Sequence, residues 1–233
     1  MSKPSRIIEV VGPPGSGKST LTRIFRQKNT DLNVTIFPYF REISQIPFFA
    51  GSLMSFSPTL WWLYKKGKGK RITKHDIALM TILNSWNKVL VRQSAKYRKT
   101  IILEEGAICL LAKLDAFGSD ILKSEASTEW WNETYQKWAR TITLIIQLDT
   151  PIPILLKRIR SRELQYEIGS MTDQKATEYL SHIQSSQEKI LSRLTAESNG
   201  PRIYRFSTLE GSPEQIYAAI AKSSIFCSIR QFN

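Results

Sequence analysis

Gly12-Pro13-Pro14-Gly15-Ser16-Gly17-Lys18-Ser19, residues 12–19, is a complete GxxxxGK(S/T) phosphate-binding loop. The apolar run Ile7-Ile8-Glu9-Val10-Val11 precedes it, and the helix-compatible stretch Thr20-Leu21-Thr22-Arg23-Ile24-Phe25 follows. That strand–loop–helix setting is what the motif requires. Gly12, Gly15 and Gly17 permit a tight turn whose backbone N–H groups point inward. Those donors and the helix N-terminus behind them favour an anionic phosphate chain. Lys18 is expected to bridge the β- and γ-phosphates, and the Ser19 hydroxyl is placed to ligate Mg²⁺. Pro13, Pro14 and Ser16 complete the loop. Thr20 supports the first helical turn or the α-phosphate.

Outward from the loop, strand patterns alternate with helical ones. Residues 34–37, 100–104, 141–148 and 202–206 read as further strands. Residues 73–97, 107–114, 127–139, 152–162 and 172–196 read as helices. Ser212-Pro213-Glu214-Gln215 is a capping box with proline at the first helical position, opening a last helix to about residue 223. The segment from Arg41 to Tyr64 is apolar, aromatic and interrupted by Pro47, Gly51 and Pro58, and it reads as short helices and loops. The alternation predicts an α/β fold, a parallel sheet wrapped by helices, with the site at the carboxyl ends of the strands.

The chain of 233 residues fits one such domain, residues 1–233. Its aliphatic runs are strand-sized and too short to span a membrane. The N-terminal residues lack the apolar segment of a signal peptide, which points to the cytoplasm. Cys109 and Cys227 are far apart and read as free thiols, not a disulfide or metal pair. His75 and His182 lack a metal-ligand spacing. A net charge of +13 implies attraction to anions, whether polyphosphates, acidic substrates or nucleic acid. The densest basic cluster, residues 65–71, contains two glycines and reads as a solvated loop. No zinc-finger or RNP pattern is present.

Three further constellations carry chemistry. Ile101-Ile102-Leu103 ends in Glu104-Glu105-Gly106, a hydrophobic strand terminating in acids beside the phosphate loop. A carboxylate there holds Mg²⁺ directly or through water, a role for Glu104, while Glu105 takes that role or orients an acceptor hydroxyl. Arg41-Glu42 follows the second strand, where Glu42 is a candidate general base and Arg41 a candidate anion contact. Arg158, Arg160 and Arg162 then lie at the end of a helix that opens into a turn at 167–170. Positive charge on a flexible helical segment suits a lid that closes over a transferring phosphoryl group. Trp61-Trp62 suits stacking on a planar acceptor or packing, whereas Trp130, Trp131 and Trp138, at helical spacing, read as core. Asp115-Ala116-Phe117-Gly118 fits a DxxG pattern but follows no strand end, and no guanine-reading motif occurs.

These residues together resemble the thymidylate kinase and deoxynucleoside kinase group of P-loop phosphotransferases. The likeness rests on Gly12–Ser19, Arg41-Glu42, Glu104-Glu105-Gly106, and Leu148-Asp149-Thr150-Pro151 leading into Arg158, Arg160 and Arg162. It implies a three-layer fold with a central parallel sheet of about five strands, a lid over residues 158–172 and an acceptor-side insertion over 41–74. It also implies ATP, Mg²⁺ and γ-phosphoryl transfer to a small acceptor, a nucleoside or nucleotide. The group's arginine after the third strand is absent here, and residues 43–74 match no pattern of the group. Two rivals remain open: a nucleic-acid end kinase, suggested by the charge, and an ATP-hydrolysing switch. The aromatic helices around Trp86 and Trp131 suit either a homodimer interface or an ordinary core.

Overall fold

β1 (Ile7–Val11) is buried at every position, as a central strand covered on both faces must be. It pairs in parallel with β3 (Ile101–Leu103) on one side and β4 (Leu144–Asp149) on the other. β2 (Asn33–Thr35) flanks β3, and β5 (Arg202–Ser207) flanks β4. The sheet is therefore five-stranded, all parallel, in the order β2-β3-β1-β4-β5. The strand order reverses at β1, so the phosphate loop opens at the crevice where ligands bind in such sheets. This computed structural model describes residues 6–28, 33–35, 46–67, 71–97, 100–161 and 167–222.

Alternation along the strands sorts two cores. Ile8, Val10, Ile102, Leu144, Ile146 and Leu148 face one layer, formed by α1 (Lys18–Lys28) and α8 (Pro213–Lys222). Ile7, Val11, Ile101, Leu103 and Ile145 face the other. That second layer holds α3 (Lys74–Tyr97), α4 (Ala107–Phe117), α5 (Thr128–Thr141) and α7 (Asp173–Ala196). The result is the expected three-layer arrangement. Trp130 and Trp138 are buried, and Trp138 meets Trp86 edge to face at 6.4 Å between centroids. The second tryptophan cluster is thus core, as its helical spacing indicated.

A third, smaller cluster joins α6 (Ile152–Arg160) to a short 3₁₀ turn (Glu167–Ser170) and the start of α7, through Leu155, Ile159, Ile168, Ala176 and Leu180. The arginine-rich segment therefore packs as a small unit of its own beside the carboxyl end of the sheet.

The reading of residues 41–64 needs correction. Ile46–Lys66 is one helix, α2, so Trp61 and Trp62 stand on a helix and not in a loop. Pro47 falls in the first turn, where its missing N–H is not needed. Pro58 lies inside and leaves the Met54 carbonyl without its backbone donor. The Ser57 hydroxyl donates to that carbonyl at 2.8 Å and fills the gap. Leu63 is fully buried and anchors α2 to the core. Lys65 and Lys66 each lie over the tryptophan four residues earlier, at 3.7 and 4.4 Å from the ring centroids of Trp61 and Trp62.

Candidate active site

The loop between β1 and α1 takes the form its glycines allow. Gly15 and Gly17 have φ of 85° and 98°, a region L side chains rarely adopt. Beyond its own chain neighbours, no atom of the described residues lies within 4 Å of where a Gly17 Cβ would stand, whereas a Cβ on Gly12 would meet Ser16 Oγ at 2.6 Å. Lys18 folds over this loop, its Nζ donating to the carbonyls of Gly12 at 2.7 Å and Pro13 at 3.0 Å. Burial pulls the Lys18 pKa below the ordinary lysine value, against the opposing charges of Glu105 and Glu104.

Glu104 comes to the loop from the end of β3. The Ser19 hydroxyl donates to one of its carboxylate oxygens, and Thr22 Oγ1 donates to the other at 3.0 Å. Two residues 85 positions apart in sequence, one on the first turn of α1 and one at a strand end, thus share one hydrogen bond. The sequence reading paired Ser19 with Glu104 but missed Thr22, which lies one helical turn after Ser19, on the same face of α1. Glu105 is exposed and near enough to Lys18 to raise that lysine's pKa.

Glu9 was also missed, although a carboxylate in the middle of Ile7-Ile8-Glu9-Val10-Val11 was there to be read. It is 1 % exposed. Its Oε1 accepts from Ile108 N at 2.9 Å and Cys109 N at 3.4 Å, at the start of α4. Burial pushes its pKa up to about 8, although the backbone donors at 106–109 work against that rise.

On the α1 and α8 side a cleft of about 550 Å³ runs from the loop to the β5–α8 connection. Gly15, Gly17, Thr20, Arg158, Leu209 and Pro213 are among its walls. Arg158 enters it from α6. Its Nη1 donates to the Gly15 carbonyl at 3.5 Å and to Thr208 Oγ1 at 3.3 Å, and its Nη2 to the Thr208 carbonyl at 3.4 Å. Ser212 and Gln215 exchange the two bonds of the capping box, at 2.7 and 3.3 Å, and so fix the far wall. The sequence marks 212–215 as a helix start but gives the 208–213 connection no part in the site.

Arg160 does not join Arg158. Two residues along a helix turn a side chain by about 200°, to the other face. Arg160 donates to the carbonyls of Gly169 and Met171 and pairs with Asp173 at 2.9 Å. Arg41, Glu42 and Arg162 lie outside the described residues, as does Cys227. Cys109 is a free, half-buried thiol.

No protein-family model matches the chain, and no curated protein does. Solved structures do. Deoxyadenosine kinase from M. mycoides with bound dATP superposes with a TM-score of 0.52 at 14 % identity, over 92 % of this chain and 96 % of that one. The same enzyme with products dCMP and dCDP gives 0.52 at 15 %, and with dCTP 0.50 at 14 %, each with the same coverage. The chain has the fold of the deoxynucleoside kinases. In this chain β3 ends in Glu104-Glu105-Gly106, and the Arg158 guanidinium reaches the loop from α6.

Proposed function

We propose that the chain is an ATP-dependent phosphotransferase that moves the γ-phosphoryl group to a small acceptor, a nucleoside or nucleotide. The observation that carries this reading is the meeting of Ser19 and Glu104 beside Lys18. A bare phosphate-binding turn has no use for a carboxylate held by a serine and a threonine of the following helix. Hydroxyl and carboxylate oxygens are hard donors, and they fit Mg²⁺, which takes one or two protein ligands and keeps phosphate and water as the rest. Ser19 and Glu104 would hold Mg²⁺ there, and the ion would supply positive charge against the phosphate oxygens.

The residues divide the remaining work. Gly12 to Ser19 hold the donor phosphates, with Thr20 at the cleft wall. Lys18 has two loop carbonyls as partners, and phosphate oxygens are the better exchange for an ammonium. Arg158 sits where it can hold charge on the loop side of the cleft and also brace Thr208. Glu42 or Glu105 orients or deprotonates the acceptor. Arg162 remains a lid candidate. Arg160 fastens α6 to the start of α7 and so shapes the lid without touching the reacting atoms. The likeness to structures of a deoxyadenosine kinase supports the nucleoside or nucleotide class.

The test is ADP release from Mg-ATP with separate additions of nucleosides, nucleotides, sugars and short oligonucleotides. Stimulation by one nucleoside or nucleotide pool, insensitive to moderate salt, is the expected result. Stimulation by oligonucleotides that falls steeply with salt would select a nucleic-acid end kinase instead.

A further inference from the structure

We propose that Glu9 is the positioning residue that holds the Glu104-Glu105-Gly106 turn against the phosphate loop, and that residue 106 is glycine to admit its carboxyl group. The inference rests on the function proposed above. Glu9 stands in the middle of β1, opposite Leu103, the last residue of β3 before the turn. Its side chain is buried, and its Oε1 takes the N–H groups of Ile108 and Cys109, which a helix start leaves without intrahelical partners. One carboxyl group thereby fastens the first turn of α4 to the central strand.

Gly106 fits the same account. A Cβ there would collide with the carboxyl group, standing 2.7 Å from Oε1 and nearer still to the other two atoms. Gly106 is not held in a backbone conformation reserved for glycine: its φ is −96°. Space, not dihedral angle, demands the glycine. Glu9 Oε2 is buried without a hydrogen-bond partner among the described residues. Burying such an oxygen is costly, and an apolar residue would serve a β-strand better. What the carboxyl group secures is the placement of Glu104, two residues before Gly106, whose oxygens must meet Ser19 and Thr22. Groups that orient a metal-binding side chain commonly change metal affinity about 10- to 100-fold when removed.

The experiment measures ADP binding with and without Mg²⁺, by titration calorimetry, together with the thermal midpoint of the ligand-free protein. Glu9→Ala is expected to cut the Mg²⁺ enhancement of ADP affinity about tenfold while ADP binding without Mg²⁺ is kept. Gly106→Ala is expected to lower both the enhancement and the midpoint. Glu9→Asp, whose shorter side chain withdraws from the added methyl, is expected to restore part of both in the double variant. A folded Glu9→Ala protein with an unchanged Mg²⁺ enhancement overturns the proposal. If Glu9→Ala does not fold, the pair decides: losses from Gly106→Ala and Glu9→Asp that simply add also overturn it. A wild-type protein whose ADP binding ignores Mg²⁺ overturns the functional reading and this proposal together, a result distinct from either failure above.

Discussion

At the scale of single residues, Lys18 and Glu9 are the two charged side chains on which burial acts most informatively. Glu9 lies within β1 and Lys18 opens α1, and burial works against the charged form of each. Lys18 is retained with carbonyl partners and nearby carboxylates. Lys18→Ala should lower phosphoryl transfer by about a hundredfold or more, the scale for losing one group that stabilises transition-state charge. Its far-ultraviolet circular dichroism and thermal midpoint should stay close to wild type. Among the described residues no cation pairs with Glu9, and burial raises its pKa from an ordinary 4.5 to about 8. Between those values the folded chain binds a proton that the unfolded chain releases. Stability therefore falls as pH rises through this window. Glu9→Gln has no such proton to lose. Urea midpoints of the two proteins should converge near pH 5, and the wild type should fall progressively below Glu9→Gln toward pH 9. Parallel pH profiles would refute the buried, protonated state.

Elements show why some of the architecture was legible in the sequence and some was not. Strand and helix patterns around the loop read correctly because each repeats a simple period. Ile7-Ile8-Glu9-Val10-Val11 is continuous apolar residues broken once, and Ser212-Pro213-Glu214-Gln215 announces a helix start by residue type alone. α2 misled because proline normally ends a helix, and nothing in sequence shows that the Ser57 hydroxyl will take the orphaned Met54 carbonyl. Pro58 is exposed, so its ring makes no core contact that would repay the break. Pro58→Ala should raise stability by about 1 kcal/mol or more, read as a higher denaturant midpoint with an unchanged slope. An unchanged midpoint would mean that α2 is already relaxed at this point. The site was half legible for a related reason. Gly12 to Ser19 and Glu104 announce themselves by motif, and Arg158 by its place in an arginine-rich segment, but Thr22 and Thr208 acquire meaning only when α1 and the end of β5 meet Glu104 and Arg158. The sequence assigns Arg158 and Arg160 to one closing segment, and helix rotation sends one to the loop and the other to Asp173.

For the whole molecule, the topology places every proposed donor contact at one crevice. The parallel strands bring the loop, the end of β3 and the 208–213 connection to the same end of the sheet, and the reversal of strand order at β1 opens a crevice there. A ligand in that crevice would contact α1, α6 and the start of α8 together with the ends of β4 and β5. Mg-ADP at a hundred times its dissociation constant should stabilise the protein by about 2.7 kcal/mol, and Lys18→Ala should show much less of this at the same concentration. A thermal midpoint unmoved by Mg-ADP in the wild type would remove nucleotide binding from the account. The charge of +13 bears on partners and not on fold.

The most direct test follows the transferred group itself. Wild-type protein is incubated with Mg²⁺ and ATP labelled on its γ-phosphoryl group, plus a mixture of nucleosides and nucleoside monophosphates, and the products are separated. The account predicts label on a nucleoside or nucleotide acceptor, and loss of that product in Lys18→Ala. Label recovered only as inorganic phosphate, at a rate the acceptors do not change, would contradict it and mark the protein as an ATP-hydrolysing switch.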